Sequence, residues 1–112
     1  MVVRGQRGHT MIATNDDPPE HSCRPAVDVL FRSVAETYGR HALAVVLTGM
    51  GSDGLDGCRH LVERGAMVLI QDRESSVIWG MPGAVAEAGL SKAEIPIDEM
   101  GRRITGYVAR PA

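Results

Sequence analysis

A chain of 112 residues suffices for one domain and is too short for two. Twelve Lys and Arg against 14 Asp and Glu leave a formal charge of −2, which excludes a nucleic-acid clamp, since no basic excess can neutralise a run of phosphates. Hydrophobic residues at 44% and charged residues at 23% exclude a disordered chain. No apolar stretch approaches the roughly 18 residues that a membrane span needs.

The four aromatics (Phe31, Tyr38, Trp79, Tyr107) leave an aliphatic core to be built. Two cysteines, Cys23 and Cys58, have no CxxC spacing and make a thin framework for a secreted fold. Met1 to His9 carries Arg4 and Arg7 among glycines with no apolar leader segment. A soluble, cytoplasmic protein with no membrane insertion is expected.

Met1 to Thr14 predicts a β-hairpin, two short apolar runs around a turn at Gly5 to Gly8. A polar, proline-bearing loop follows, from Asn15 to Ser22. Pro25 stands where a first helical residue belongs, and Val27, Leu30, Phe31, Val34 and Tyr38 recur at helical spacing up to a stop at Gly39. Asp28, Arg32 and Glu36 then mark the wet face of that helix. Leu43 to Thr48 is a continuous apolar run, which predicts a central parallel strand buried on both faces.

After the loop Gly49-Met-Gly-Ser-Asp-Gly54, a helix is expected over Leu55 to Arg64, with Leu55, Cys58, Leu61 and Val62 inward and Gly65 closing it. Ala66 to Gln71 reads as a second parallel strand, Met81 to Ala88 as a helix behind Pro82, and Ala93 to Ile97 as a last strand. Asp98 opens a C-terminal helix reaching about Tyr107. Strands alternating with helices define an α/β fold, a doubly wound, Rossmann-like parallel sheet with an N-terminal β-hairpin. No internal repeat and no linker divides the chain.

Three glycines in six residues are costly unless the backbone requires them. Gly49-x-Gly51-x-x-Gly54 matches a dinucleotide fingerprint between strand and helix, with Asp72 and Glu74 near the position of a ribose-binding acid. Asp53 stands against that alternative, because a carboxylate at the helix mouth repels the phosphate it would have to admit. Two other readings of Asp53 remain open on spacing alone. It is a cap for the helix starting at Leu55, or an acid that orients a catalytic histidine. A non-catalytic interaction module is the third class of function to weigh. Nothing in the chain has metal-ligand spacing, and no cofactor is expected.

Leu47-Thr-Gly-Met-Gly-Ser-Asp-Gly54 resembles the CheB family of chemotaxis protein-glutamate methylesterases. Arg24-Pro-Ala-Val-Asp-Val-Leu-Phe-Arg-Ser33 is similar to the family's preceding segment, with Ala26 where a serine is usual. Gln71-Asp, Ser75-Ser-Val and Gly80-Met-Pro82 are similar to the segments that follow. Order and spacing agree from about Arg24 to Ile104. The resemblance implies a Ser-His-Asp esterase that hydrolyses glutamate methyl esters on chemoreceptors, in some members also deamidating glutamines.

By the same resemblance Asp53 falls on the triad aspartate. Met50 falls on a residue lining the site, whose backbone helps hold the oxyanion. The family's serine and histidine precede the aligned region, and so does its receiver domain. Residues 1–112 are therefore expected to be a partial catalytic domain, inactive alone. Its expected partners are the methylated cytoplasmic region of a chemoreceptor and, through an exposed strand, a second copy or a complementary half-domain. No local substitute for the missing pair is evident. His9, His21 and His41 lie in turns or loops, His60 points outward, Ser75 and Ser76 serve a turn, and Ser52 has no base. Cys58 reads as apolar filler, and Trp79 and Met81 as packing.

Overall fold

The computed structural model describes residues 1–6, 9–14 and 26–109. Pro25, His21 and Cys23 lie outside them. A hairpin of β1 (Val2–Gln6) and β2 (His9–Ala13) comes first, then α1 (Val27–Tyr38) and a short 3-10 turn. Next come β3 (Leu43–Val46), α2 (Leu55–Glu63), β4 (Met67–Gln71), α3 (Gly80–Glu87), β5 (Ala93–Ile95) and α4 (Ile97–Val108). The last three strands form a parallel sheet in the order β3-β4-β5.

Strand alternation divides the core in two. Ala44 and Val46 of β3 join Val68 and Ile70 of β4 beneath Ala35 of α1, Cys58 and Leu61 of α2 and Val85 of α3. On the opposite face Leu43, Val45, Leu69 and Ile95 meet Met100, Ile104 and Tyr107 of α4. Helices thus cover both faces, the doubly wound arrangement expected.

The central position belongs to β4, which is buried along Val68–Gln71. The Leu43 to Thr48 run, expected at the centre, supplies a four-residue strand at one edge, with no second strand partner among the described residues. An apolar run reports covered faces and carries no information about neighbours along the hydrogen-bonding direction. β3 has both faces covered and one edge paired.

Several smaller expectations are corrected. Gly5 and Gln6 are in β1, in register with Thr10 and His9, and do not belong to the turn. α4 begins at Ile97 behind Pro96, whose fixed φ suits a helix start, so Asp98 lies inside its first turn. Val62 is 36% exposed, and Gly57 takes the buried place on α2. Asp28, expected on the wet face of α1, is fully buried. α1 does stop at Gly39, at φ 54°.

The hairpin lies on α1. Val3 donates its N–H to Ser33 Oγ at 2.8 Å, Thr37 Oγ1 donates to the Val3 carbonyl at 3.4 Å, and the Thr10 and Tyr38 hydroxyls bond to each other. Met11 and Ile12 on β2 remain exposed.

Candidate active site

In an open α/β sheet, functional groups collect where strands end, and two loops meet at the carboxyl end of this one. The first runs from Leu47 to Gly54. Gly49 donates its N–H to the Ile78 carbonyl and accepts from Met81 N–H, both at 2.9 Å. Thr48 Oγ1 donates to the Ile78 carbonyl at 2.8 Å and accepts from Ile78 N–H at 2.9 Å. The fit leaves no room for side chains. A Cβ on Gly49 would lie 2.7 Å from Met81 Sδ, and one on Gly80 would lie 2.9 Å from the Gly49 carbonyl oxygen. Gly51 and Gly54 have φ of 80° and 102°, where other residues are strained.

The second loop, Asp72 to Trp79, is organised by buried Gln71. Its Oε1 accepts the Thr48 N–H, and its Nε2 donates to the Ser75 carbonyl, both at 2.8 Å. Trp79 Nε1 donates to the Gln71 carbonyl at 2.8 Å. Asp72 Oδ1 accepts the Ser75 N–H at 3.0 Å and also the Ser75 hydroxyl, and Ser75 Oγ accepts Ile97 N–H at 3.1 Å. One amide side chain and one hydroxyl therefore tie the ends of β3 and β4 to the start of α4.

Asp53 projects from the first loop toward α1. Its Oδ2 accepts the Val27 N–H at 2.7 Å and its Oδ1 the Asp28 N–H at 3.0 Å. The cap expected for the Leu55 helix therefore serves a different helix. Ala26, at the α1 N-cap position, has no side-chain oxygen to offer, and Gly54 turns the chain so that the carboxylate faces α1. A carboxylate has about four acceptor sites. The two amides occupy one on each oxygen, which leaves positions for a further N–H donor.

The α2 terminus is capped in return. Asp28 Oδ1 accepts the N–H groups of Gly54 at 3.0 Å and Gly57 at 2.8 Å. Those amides are the donors that a pyrophosphate would need. The loop glycines serve close packing and positive φ, and Asp72 serves its own turn. The dinucleotide alternative built on Gly49, Gly51 and Gly54 is therefore dropped. Arg32 joins Asp56 at 3.0 Å across the same helix pair.

The remaining candidates fall as follows. Met50 in the first loop is 75% exposed, and Leu47 of the same loop and Val77 and Ile78 of the second are exposed as well. Ser52 is exposed. His60 donates from Nδ1 to the Asp56 carbonyl of its own helix at 2.9 Å. His41 lies at the amino end of β3, across the sheet from Asp53. Cys58 is fully buried; desolvation first, then the Asp28 charge, pushes its thiol up to about 12, so it is no nucleophile. Trp79 and Met81 pack against the core. Among the described residues no cluster of His, Cys, Asp or Glu could hold a metal ion, and no helix is long and apolar enough to cross a membrane.

Helical spacing missed Asp28 and read past Gln71. A signal for the first was present, because Gly57 inside a helix is unfavourable without a reason. A Cβ there would lie 2.4 Å from Phe31 Cβ, so α1 and α2 touch where Asp28 reaches across.

The fold and site define a doubly wound α/β protein with an acidic residue held at the carboxyl end of its sheet. The CheB methylesterase family matches residues 1–104, and the chain belongs to that family. It is 48% identical over its whole length to a protein-glutamate methylesterase/protein-glutamine glutaminase of Azospirillum brasilense, covering 29% of that protein. It is 52% identical, again over its whole length, to one of Rhodospirillum rubrum, covering 28%. The chain thus spans less than a third of the curated relatives it matches. In fold it is similar to the Thermotoga maritima CheB methylesterase catalytic domain, with TM-score 0.93 and 31% identity over 96% of this chain and 57% of that one.

Proposed function

We propose that this chain is part of a catalytic domain of a protein-glutamate methylesterase and supplies the aspartate of its Ser-His-Asp triad. The observation that carries the reading is Asp53, a carboxylate at the strand end held on both oxygens by backbone amides. In the complete domain the serine Oγ attacks the ester carbonyl carbon while the histidine takes its proton. The tetrahedral oxyanion collapses as the histidine returns that proton to the leaving methoxide, releasing methanol. Water, activated in the same way, then cleaves the acyl-enzyme to the glutamate carboxylate and the free serine. Asp53 accepts the histidine's second N–H, fixing the tautomer and stabilising the imidazolium. Met50 lines the site, and its backbone helps hold the oxyanion. With glutamine as substrate the same steps release ammonia.

The substrate is the methylated cytoplasmic region of a chemoreceptor, and the setting is the cytoplasm. The exposed apolar rim of Leu47, Met50, Val77 and Ile78 suits contact with a folded protein. The test uses a complete domain in which this chain replaces the corresponding segment of the Thermotoga maritima domain. Asp53→Asn should fold, with a somewhat lower melt because its single amide oxygen cannot serve both backbone N–H groups, and lower methanol release by about 10⁴, the effect of the same change in a serine protease triad. Near-normal release would remove Asp53 from the mechanism.

The outer edge of β3 supports a second expectation, because unpaired strand edges recruit partners. Alone, the chain should self-associate or pair with a complementary half-domain. Light scattering from a monodisperse monomer with a sharp melt would contradict this.

A further inference from the structure

We infer that Asp28 is a positioning residue for Asp53, a role that rests on the triad reading above. Residues 28 and 53–54 exchange hydrogen bonds in opposite directions. Asp28 N–H donates to Asp53 Oδ1 at 3.0 Å, and the next amide in the chain, Gly54 N–H, donates to Asp28 Oδ1 at 3.0 Å. The closed ring joins the first turn of α1 to the peptide that carries Asp53. Gly57 N–H adds a third bond to the same carboxylate oxygen at 2.8 Å.

A cap for α2 alone does not require this arrangement. Ser, Thr, Asp or Asn at the helix entrance would serve, yet that position is Gly54, at φ 102°. The acceptor comes instead from a fully buried carboxylate on another helix, 26 residues upstream. Burying a charge is unfavourable unless it is hydrogen-bonded, so the exchange must return something beyond a local cap. It sets the register of the Asp53 peptide on α1, the helix whose amides hold the Asp53 side chain. The helices cannot slide, because Gly57 lies against Phe31 with no space for a methyl group, and a Cβ on Gly54 would lie 3.2 Å from Val27 Cγ1.

Amide hydrogen exchange, followed by NMR on the full chain and referenced to Leu69 in β4, tests the coupling directly. Asp28→Ala should speed exchange at Gly54 and Gly57 by at least about 10-fold, the effect of one lost hydrogen bond. It should speed Val27, whose partner is Asp53, by a similar factor. Asp28→Asn, which keeps an oxygen acceptor, should restore all three to within about 3-fold of wild type. Acceleration at Gly54 and Gly57 with Val27 unchanged would make Asp28 a cap for α2 only and overturn the inference. Unchanged exchange at all three would overturn it too. Should Asp28→Ala fail to fold, Asp28→Ser carries the same expectations.

In the assembled Thermotoga maritima domain, Asp28→Ala should lower kcat by roughly 10- to 100-fold at unchanged KM, the scale of an ångström of misplacement. Asp28→Asn should rescue it. Leu61→Ala, which destabilises the same helix without touching the ring, should keep kcat. An equal loss of kcat in Leu61→Ala would assign the effect to stability and overturn the positioning role. The triad reading fails differently, through full turnover by Asp53→Asn while the exchange coupling stays intact.

Discussion

Two loops end neighbouring strands of this sheet, and each carries an aspartate, but the aspartates are held in opposite ways. Asp72 bonds to Ser75 three residues on, entirely within its own turn. Asp53 bonds to Val27 and Asp28, 26 and 25 residues away, on another element. A carboxylate that closes its own turn moves with that turn. One held from outside is fixed in space against another element, which is what a triad needs from its acid. The loop after β4 is scaffold, and the loop after β3 presents a group.

The contrast breaks if both aspartates respond alike. In the assembled domain Asp53→Asn should cost about 10⁴ in turnover, whereas Asp72→Asn should stay within about 3-fold, since weakening the two part-buried bonds of its own turn is a modest stability effect. Comparable losses in the two variants would dissolve the distinction. A smaller effect sharpens the reach of the long-range hold. Gly57→Ala forces a methyl group to within 2.4 Å of Phe31 Cβ, and overpacking of this kind costs about 1–3 kcal/mol. Chemical denaturation should show that loss, and stability equal to wild type would mean that α1 and α2 have slack.

The smallest effect is a pH dependence. The Cys58 thiol is raised from 9.0 to about 12 in the folded chain, so above pH 9 the unfolded state gives up a proton that the folded state keeps. Stability from this group is complete below pH 9 and falls as pH rises toward 12, by less than about 1 kcal/mol between pH 8 and 9.5. Cys58→Ala should flatten that decline. An unchanged alkaline slope would mean that the Cys58 thiol is not the group responsible.

The same contrast explains what could be read from residues alone. Helix periods, glycine stops and apolar runs located all of the main elements, because each is a local pattern. The turn carrying Ser75 and Ser76 was legible for that reason. The partner of Asp53 was not, since spacing placed it next to the Leu55 helix and only the turn at Gly54 aims it at α1. Asp28 shares a helical stripe with Arg32 and Glu36, so periodicity put it in water. It is buried because amides of another helix, lacking any acceptor of their own, come to meet it. The open edge of β3 follows from the expectation of a partial domain with an exposed strand, whereas apolar content alone says nothing about which strand lies alongside. The reading of Asp53 and Met50 as site residues rests on resemblance, and no periodicity singles them out.

The crossed capping of α1 and α2 also bears on how the chain folds. The α1 entrance is completed by Asp53, from the loop just ahead of α2, and the α2 entrance by Asp28 of α1, so neither nucleus gains its cap while the partner is unformed. The pair therefore consolidates in one cooperative step, through contacts about 25 residues apart in sequence, and opens as one unit. Partial unfolding that frees α1 releases the Asp53 carboxylate at the same moment, so a half-open chain keeps neither cap.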